Sequence, residues 1–312
     1  MKVSVLVLTY KPEWEKLKKT LGSILLQRDC DFDIVVSDDG SENNYFDVIE
    51  TFFEQNNFHK YQLSRMPQNA GIVKNAMNGV AVSKAEYIKF ISPGDMLHGI
   101  YALRDWVNYM DRNRELAMSF CDVIFYHMEN DRMIFDKQYA HPQCPEAYND
   151  VDQAYHYLLA NDICLGASTM CRTDKLSKYL TCLVGKVIFA EDNVYRLMVY
   201  RGERIGYFSR SALLYEYGTG ISTSQDNIWG ERIHNDWECA DKIMIDGECY
   251  SEKFKDTFKK FKKYSSKRDF MSRMKRSYIR SKKLGYKIKR KVFTRYTSMD
   301  IDKKYIQLLE QF

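Results

Sequence analysis

Three carboxylates in the first hundred residues could bind a metal ion or a polar substrate. Asp95 follows an apolar run at residues 87–91, and Asp38 and Asp39 follow another at residues 32–37. Carboxylate oxygens are the ligands that hard divalent cations prefer. A purely structural interpretation also exists, because aspartate favours N-caps: Asp95 could cap a helix, and Asp38 and Asp39 could form a turn that caps the next helix.

Apolar runs and helical spacings alternate around these carboxylates. The runs predict strands at residues 3–8, 32–37, 61–64 and 87–91, and helices are predicted between them, starting near Trp14, Tyr45 and Asn69. Strands and helices that alternate with short connections predict an α/β fold, in which a parallel sheet carries helices on its faces.

The ends of the three strong strands are expected to meet at one edge of the sheet. Thr9, Asp38, Asp39 and Asp95 would then line one crevice, which has the form of a nucleotide site. The chain has neither G-x-G-x-x-G after the first strand nor G-x-x-x-x-G-K-[ST]. The sequence therefore argues against the ordinary dinucleotide and P-loop sites.

The region after residue 97 is less regular. Helices are predicted around residues 103–110, at 151–160, at 175–180 with Thr173 as N-cap, and from residue 190. Strands are predicted at residues 117–126, which could pair with 133–135, and at 163–170, 205–208 and 212–217.

The cysteines and the apolar runs indicate a compartment. The eight cysteines form no C-x-x-C pair and no set with zinc-ligand spacing. No run approaches the roughly 20 apolar residues that span a bilayer. The first apolar run is shorter than the core of a signal peptide. A reducing cytoplasm is therefore predicted.

The charge is strongly asymmetric along the chain. Residues 251–296 contain 19 Lys and Arg against 3 Asp and Glu, whereas residues 1–250 contain 26 against 36. Phe254, Phe258 and Phe261 follow at i, i+4 and i+7 within the basic stretch, which predicts an interfacial helix on anionic lipid. Packing on the body or on another subunit stays open. Aromatic residues among basic ones can also bind nucleic acid, but no nucleic-acid motif accompanies them.

Four sequence blocks resemble, in their order and spacing, the family-2 glycosyltransferases. That family consists of inverting enzymes with a GT-A fold that use nucleotide-diphosphate sugars. The blocks are residues 3–10 (VSVLVLTY), 34–41 (IVVSDDGS), 69–75 (NAGIVKN) and 85–95 (AEYIKFISPGD), and Glu191-Asp192 extends the match. The resemblance covers about residues 1–225. Within the family, the chain is similar to the bacterial enzymes that build surface polysaccharides.

The resemblance implies a GT-A domain at residues 1–225, a Rossmann-like mixed sheet with helices on both faces. Residues 1–97 would be its nucleotide-binding half and residues 98–225 its acceptor half. Residues 226–312 would form a basic helical C-terminal region.

The resemblance also assigns residues to the nucleotide. Thr9 and Tyr10 would border the base or ribose. Asp39, with Asp38 behind it, would hydrogen-bond the uracil or ribose. The third block would supply the remaining contacts, from Gly71 and from Lys74, which would lie near the diphosphate. Lys74 could equally be a solvated surface charge.

For the reaction itself, the resemblance implies a metal ligand and a base. Asp95 would bind the Mg²⁺ or Mn²⁺ that neutralises the leaving diphosphate. Asp192, preceded by Glu191, would be the general base for the acceptor hydroxyl. Acids in a first helical turn are also favoured by the helix dipole alone. Residues 217–224 match a loop that closes over the diphosphate or acceptor.

One departure from the family concerns the metal. Relatives commonly carry two or three acids in a D-x-D arrangement, whereas this chain has Ser92-Pro93-Gly94-Asp95. A single carboxylate should bind metal more weakly, so that the phosphates must supply more of the ligands. Metal would then bind together with the donor, and loss of metal dependence is left open.

These observations predict a cytoplasmic hexosyltransferase on the inner face of the membrane. It would move a sugar from a UDP-sugar to a saccharide, lipid-linked acceptor, and residues 251–296 would contact anionic lipid. No nucleic-acid partner is expected, and a homodimer is left open. The alternatives are a non-catalytic sugar-nucleotide or glycan-binding module and a sugar-1-phosphate nucleotidylyltransferase. The latter needs a Gly-rich loop with arginine where this chain has residues 9–12 (TYKP).

Overall fold

The computed structural model describes residues 1–130, 132–140, 142, 145–159, 164–218, 227–281 and 301–312. Its strands are β1 (Val3–Thr9), β2 (Phe32–Asp38), β3 (Tyr61–Arg65), β4 (Tyr87–Ile91), β5 (Met96–Leu97), β6 (Leu116–Glu129), β7 (Arg132–Ala140), β8 (Thr169–Arg172) and β9 (Arg204–Glu216). Its helices are α1 (Trp14–Leu25), α2 (Phe46–Gln55), α3 (Ile72–Val82), α4 (Ala102–Arg112), α5 (Val151–Leu159), α6 (Thr173–Leu183), α7 (Asn193–Tyr200), α8 (Asn227–Asp246), α9 (Glu252–Ser265), α10 (Phe270–Ser281) and α11 (Lys303–Leu309).

The strands form one mixed sheet in the order β3-β2-β1-β4-β8-β6-β9-β5, and β7 pairs with β6. Strands β1 to β4 are parallel neighbours, as the apolar runs predict. The runs are continuous because both faces of these strands are covered. In β1, Val3, Val5 and Val7 pack in one hydrophobic cluster and Leu6 and Leu8 in another. The predicted GT-A arrangement, with helices on both faces of a mixed sheet, is confirmed.

The second half of the sheet corrects three local predictions. The two strands predicted at residues 205–208 and 212–217 are one strand, β9, because a shift of register opposite Asp122 lets the ladder continue through residues 209–211. Residues 166–168 form a 3₁₀ turn, so the strand predicted from residue 163, which itself lies outside the described residues, begins at Thr169. Thr173 does not cap α6: it is the first residue of that helix, and its hydroxyl donates to the carbonyl of Ala85 (2.7 Å).

Helix α9 packs on the body of the protein. Phe254, Phe258 and Phe261 are buried, and their cluster also contains side chains from the sheet. The ring of Phe254 lies 5.1 Å from that of Tyr155 in α5, and the ring of Phe258 lies 5.9 Å from that of Tyr200 in α7. The prediction that this phenylalanine stripe faces lipid is therefore wrong. The alternative, packing on the body, is what the structure has.

The last helix, α11, packs against the sheet on another side. Tyr305 is buried, and its hydroxyl donates to the carbonyl of Leu97 (2.8 Å). Residues 282–296 of the basic stretch and the predicted boundary at residue 225 lie outside the described residues. Within the part of the chain that the structure describes, no helix is both long and apolar enough to cross a membrane.

The packing of α9 makes a prediction about stability. Phe258 is 1% exposed, so Phe258→Ala should lower the free energy of unfolding by about 3–5 kcal/mol through lost burial and a cavity. The matched control, Phe270→Ala, removes the same atoms from a side chain that is 71% exposed. It should change stability by less than about 0.5 kcal/mol. Urea unfolding measures both variants, and equal effects would contradict the packing.

Candidate active site

The carboxyl ends of β1 and β2 meet as the sequence predicts. Thr9 pairs with Asp38 in the strand register, and the Thr9 hydroxyl donates to the Asp38 carboxylate (2.9 Å). Asp38 is fully buried and also accepts from the backbone N–H and the hydroxyl of Ser41, both at 2.7 Å. Asp38 thus holds the loop after β2, and α2 begins only after Tyr45. A contact of Asp38 or Thr9 with a nucleotide stays a prediction.

Asp39 joins this loop to the start of α3. One oxygen of its carboxylate accepts from the N–H of Ala70 (2.8 Å) and the other from the N–H of Gly71 (2.9 Å). Asn75 in the same helix donates to the carbonyl of Ser37 in β2 (2.9 Å). The second and third sequence blocks therefore form one rigid corner. Tyr10 and Lys74, the other predicted nucleotide residues, are exposed near this corner, and their roles stay predictions.

Asp95 follows β4 at the same edge and leads into the short strand β5, so it does not cap a helix. The turn before it is closed by the Asp95 N–H, which donates to the carbonyl of Ser92 (3.0 Å). Gly94 has φ +100°, and a Cβ there would collide with the Glu216 carboxylate at the end of β9. Glu216 is buried too, donates its backbone N–H to Asp95 (3.3 Å) and pairs with Lys16 (3.2 Å).

Burial disfavours the charged form of Asp95, a cost that a bound cation would offset. Burial raises the pKa of Asp95 to about 8, opposed by the charge of buried Lys89 and reinforced by the Glu216 carboxylate. Two buried carboxylates side by side offer hard oxygen ligands. The described residues contain no cluster of three or more His, Cys, Asp or Glu that could hold a metal ion by itself. Asp95 and Glu216 therefore fit a divalent cation whose other ligands would come from phosphate oxygens and water.

Glu191 and Asp192 immediately precede α7 and are partly buried. Asp192 occupies the N-cap position, but its side chain makes no capping hydrogen bond. The pair lies beside Gly166, where a Cβ would meet Glu191. Gly166 precedes β8, which runs antiparallel to β4 with Met170 opposite Lys89, and so Gly166 lies towards the carboxyl end of β4. The two acids therefore stand at the same edge of the sheet as Asp95.

The environment of the pair keeps protons on it to higher pH than usual. Burial raises the pKa of both carboxyls, and for Glu191 the adjacent Asp192 is the next cause. The guanidinium of Arg196 opposes the rise in the pKa of Asp192. The carboxylate of Asp236 adds to the rise in both pKa values. A base with a pKa nearer to the working pH both accepts and releases a proton more readily.

Asp236 holds the loop that presents this pair. The side chain, on α8, is 5% exposed and accepts hydrogen bonds from three consecutive backbone N–H groups. They come from Ile188 (3.1 Å), Phe189 (2.6 Å) and Ala190 (3.0 Å). Hydrogen bonds to an ionised acceptor are about twice as strong as neutral ones. Residues 188–190 are thereby fixed directly before Glu191.

A second set of contacts holds the helix that follows. Arg196 in α7 donates to Asp241 in α8 (2.7 Å), and Lys262 in α9 pairs with the other oxygen of Asp241. The guanidinium of Arg196 lies 4.5 Å from the centre of the Trp237 ring. The C-terminal helices thus support the candidate base by buried charge pairs as well as by apolar packing.

Sequence reasoning missed Glu216, Asp236 and Asp241. Glu216 immediately precedes the predicted closing loop, of which only residues 217 and 218 are described, but nothing in the sequence pairs it with Asp95. Asp236 and Asp241 are acids in a charged helix, where aspartate is usually solvated. Lys89 is the one charged residue within the apolar run 87–91, which is a signal that the sequence does contain. It is fully buried and donates to the carbonyls of Phe90 and Ala167.

Comparison with known proteins identifies the family. Residues 4–176 match the family described as Glycosyl transferase family 2. Because the match covers more than half of the chain, together with the GT-A fold it shows that this chain belongs to that family. The resemblance of the four sequence blocks is confirmed.

Individual relatives narrow the comparison. The chain is 35% identical over 116 residues to poly(ribitol-phosphate) β-N-acetylglucosaminyltransferase TarP of Staphylococcus aureus. The match covers 36% of this chain and 34% of TarP, so the chain spans about a third of that relative's length. S. aureus TarS 1–349 with UDP-GlcNAc gives a TM-score of 0.57 at 17% identity, covering 89% of this chain and 79% of TarS 1–349. TarS 1–349 with UDP gives a TM-score of 0.54 at 17% identity, covering 83% of this chain and 69% of TarS 1–349. These two likenesses show the fold.

The contacts of Asp236 make a prediction that separates its charge from its geometry. Asp236→Asn keeps one acceptor oxygen without the charge, and Asp236→Ala removes both. Turnover should fall in that order, by on the order of 100-fold for alanine, because displacement of a base by about 1 Å can cost that much. Nucleotide affinity, measured by calorimetry, should change little.

The pH dependence of the same variant adds a sharper readout. The base must be deprotonated to act, so turnover rises as the pH passes its pKa. Loss of the Asp236 charge lowers that pKa, and the acid limb of the Asp236→Asn profile should move to lower pH. The control is Asp246→Asn, an exposed carboxylate on the same helix. An Asp236→Asn profile identical to wild type at full rate would contradict the role.

Proposed function

We propose that this chain is an inverting glycosyltransferase that moves a sugar from a UDP-sugar to a saccharide acceptor. One observation supports this most strongly. A carboxylate suited to a cation, Asp95, and a partly buried carboxylate suited to a base, Asp192, stand at one edge of the sheet in a family-2 chain. The rigid corner built on Asp39 adjoins them, where a nucleotide would lie.

The relatives favour one donor to test first. TarP is described as a β-N-acetylglucosaminyltransferase, and TarS 1–349 has been solved with UDP and with UDP-GlcNAc. UDP-GlcNAc is therefore the first candidate donor. TarP's acceptor is a poly(ribitol-phosphate). For this chain the proposed acceptor is a saccharide of a surface polysaccharide, linked to lipid.

The residues at this edge of the sheet would have different roles in the reaction. A divalent cation, when bound, neutralises charge on the leaving diphosphate, and Asp95 with Glu216 would hold it. Asp39 would orient the uridine through the corner that it fixes. The acceptor oxygen attacks the anomeric carbon from the side opposite UDP as the bond to the diphosphate breaks. The hydroxyl proton passes to the carboxylate of Asp192, and a single displacement of this kind inverts the anomeric centre.

The predictions about cellular location and oligomeric state belong to the same proposal. A cytoplasmic chain at the inner face of the membrane would meet both a soluble nucleotide sugar and a lipid-linked acceptor. The basic composition of the C-terminal region supports this location, although its phenylalanine stripe is buried. The homodimer that the sequence leaves open stays a prediction.

The base assignment predicts a specific loss. Asp192→Asn should lower turnover by about 10²–10⁴-fold, the usual contribution of a general base, and leave UDP affinity nearly unchanged. UDP release from a panel of nucleotide sugars, with Mn²⁺ and candidate acceptors, measures turnover. Asp174→Asn is the control, because Asp174 is an exposed acid in the first turn of the neighbouring helix α6. Full turnover in Asp192→Asn would contradict the assignment of Asp192 as the base. If the wild type turned over no donor, a non-catalytic binding module would be favoured.

The cation site predicts a change in binding rather than in rate. Calorimetric titration of UDP, with Mn²⁺ or with a chelator, should show tighter binding with metal in the wild type. Asp95→Ala should abolish that gain, and Glu216→Gln should reduce it by on the order of tenfold, because each removes a hard ligand. Glu15→Gln, an exposed acid on α1, is the control. A metal-dependent gain that survives Asp95→Ala would show that the site is elsewhere.

A further inference from the structure

Helix α10 carries four large apolar side chains on the protein surface. Phe270 is 71% exposed, Met271 60%, Met274 55% and Tyr278 57%. Apolar side chains scattered singly on a surface are ordinary, but several on one short helix form a patch of the kind that marks an interaction site. The patch formed by these four residues is called the α10 stripe below.

The four side chains share one face of the helix. At 100° per residue, positions 270, 271, 274 and 278 fall within about 100° of arc. The opposite face is fixed to the protein: Ser272 is buried, and Ile279 packs against the same cluster as the phenylalanines of α9. The guanidinium of Arg280 lies 5.3 Å from the centre of the Phe261 ring. The α10 stripe is therefore held outward by a docked helix.

Basic residues border the α10 stripe along both long edges and before its first residue. Helical spacing puts Lys275 along one edge and Arg273 along the other, and both are exposed. Lys267 and Arg268, also exposed, precede the helix. No Asp or Glu occurs within Phe270–Ser281. The nearest acid, Asp269, accepts from the backbone N–H of Ser272 (2.8 Å) and so closes the first turn of the helix.

This combination points to one occupant. A helix with an apolar face and a basic margin inserts its apolar side chains at the headgroup boundary and draws in anionic lipid. Nucleic acid would pair with the basic margin but would leave the methionines and Phe270 in contact with charged phosphates. Residues 1–250 carry a net negative charge and residues 251–296 a strongly positive one, so charge favours the C-terminal region as the part that faces an anionic membrane.

We propose that the α10 stripe is the surface by which this protein docks on anionic membranes. The inference rests on the proposed function in one respect, namely that the acceptor is linked to lipid. A series of packing contacts and ion pairs links α10 to the helix that follows the candidate base. Helix α10 packs on α9, Lys262 of α9 pairs with Asp241 of α8, and Asp241 pairs with Arg196 in α7. A docked α10 therefore places the candidate active site at a fixed height above the membrane.

The test is sedimentation of the full chain with vesicles. Vesicles of phosphatidylcholine alone are compared with vesicles that also contain phosphatidylglycerol, at low and at high salt. The stripe variant carries Phe270→Ser, Met271→Ser and Met274→Ser, and the rim variant carries Arg273→Glu and Lys275→Glu. The control is Val48→Ser, a partly exposed apolar side chain on α2. Gel filtration and UDP release with a water-soluble acceptor are measured on every variant.

The expected result is binding of the wild type and Val48→Ser to anionic vesicles and weak binding to neutral ones. The stripe variant should lose on the order of tenfold in partitioning for each side chain removed. The rim variant should lose the preference for anionic lipid and its salt dependence. UDP release with the soluble acceptor should be unchanged, so failure of the docking surface is distinguishable from failure of the proposed reaction.

Three outcomes would overturn the proposal. The first is no sedimentation of the wild type with anionic vesicles at low salt. The second is a stripe variant that sediments like the wild type. The third is a wild type that elutes as a dimer, does not sediment, and becomes monomeric in the stripe variant, because the stripe would then be an interface between two copies of this chain.

Discussion

The arrangement of the candidate site depends on the contact between Gly71 and Ile188. Gly71 has φ +90°, and a Cβ at this position would overlap the side chain of Ile188 and lie 2.8 Å from its carbonyl oxygen. The N–H of Val73 donates to the same carbonyl (3.0 Å). Buried carboxylates fix both sides of this contact, Asp39 in the corner after β2 and Asp236 on α8. The corner built on Asp39 and the loop before Glu191 are therefore positioned relative to each other by backbone groups.

The charge asymmetry of the chain has a structural counterpart. Asp241 on α8 is buried between Arg196 of α7 and Lys262 of the basic stretch. Removing one member of such a buried group leaves an uncompensated charge, which is far more costly than losing an exposed pair. Part of the basic composition is therefore used inside the protein. Four other basic residues, Lys267, Arg268, Arg273 and Lys275, border the α10 stripe.

The sequence was most informative where local pattern and tertiary structure agree. Strands β1, β2 and β4 and helix α1 were predictable because their apolar spacing reflects burial in a sheet covered on both faces. The carboxylates at their ends follow from strand order alone. The phenylalanine stripe of α9 was misread because an amphipathic helix looks the same whether its apolar face meets lipid or protein. The Asp95 and Glu216 pair could not be predicted, because the two residues are 121 positions apart and meet only through the pairing of β5 with β9.

The most direct test of the proposed site is a crystal structure of the full chain with UDP-GlcNAc and Mn²⁺. The proposed site predicts the uridine at the corner of Asp39 and the diphosphate with its cation at Asp95. It also predicts the carboxylate of Asp192 on the face of the sugar opposite the diphosphate, with room between them for an acceptor hydroxyl. A nucleotide bound away from this edge of the sheet, or an Asp192 carboxylate on the same side of the sugar as the diphosphate, would contradict it.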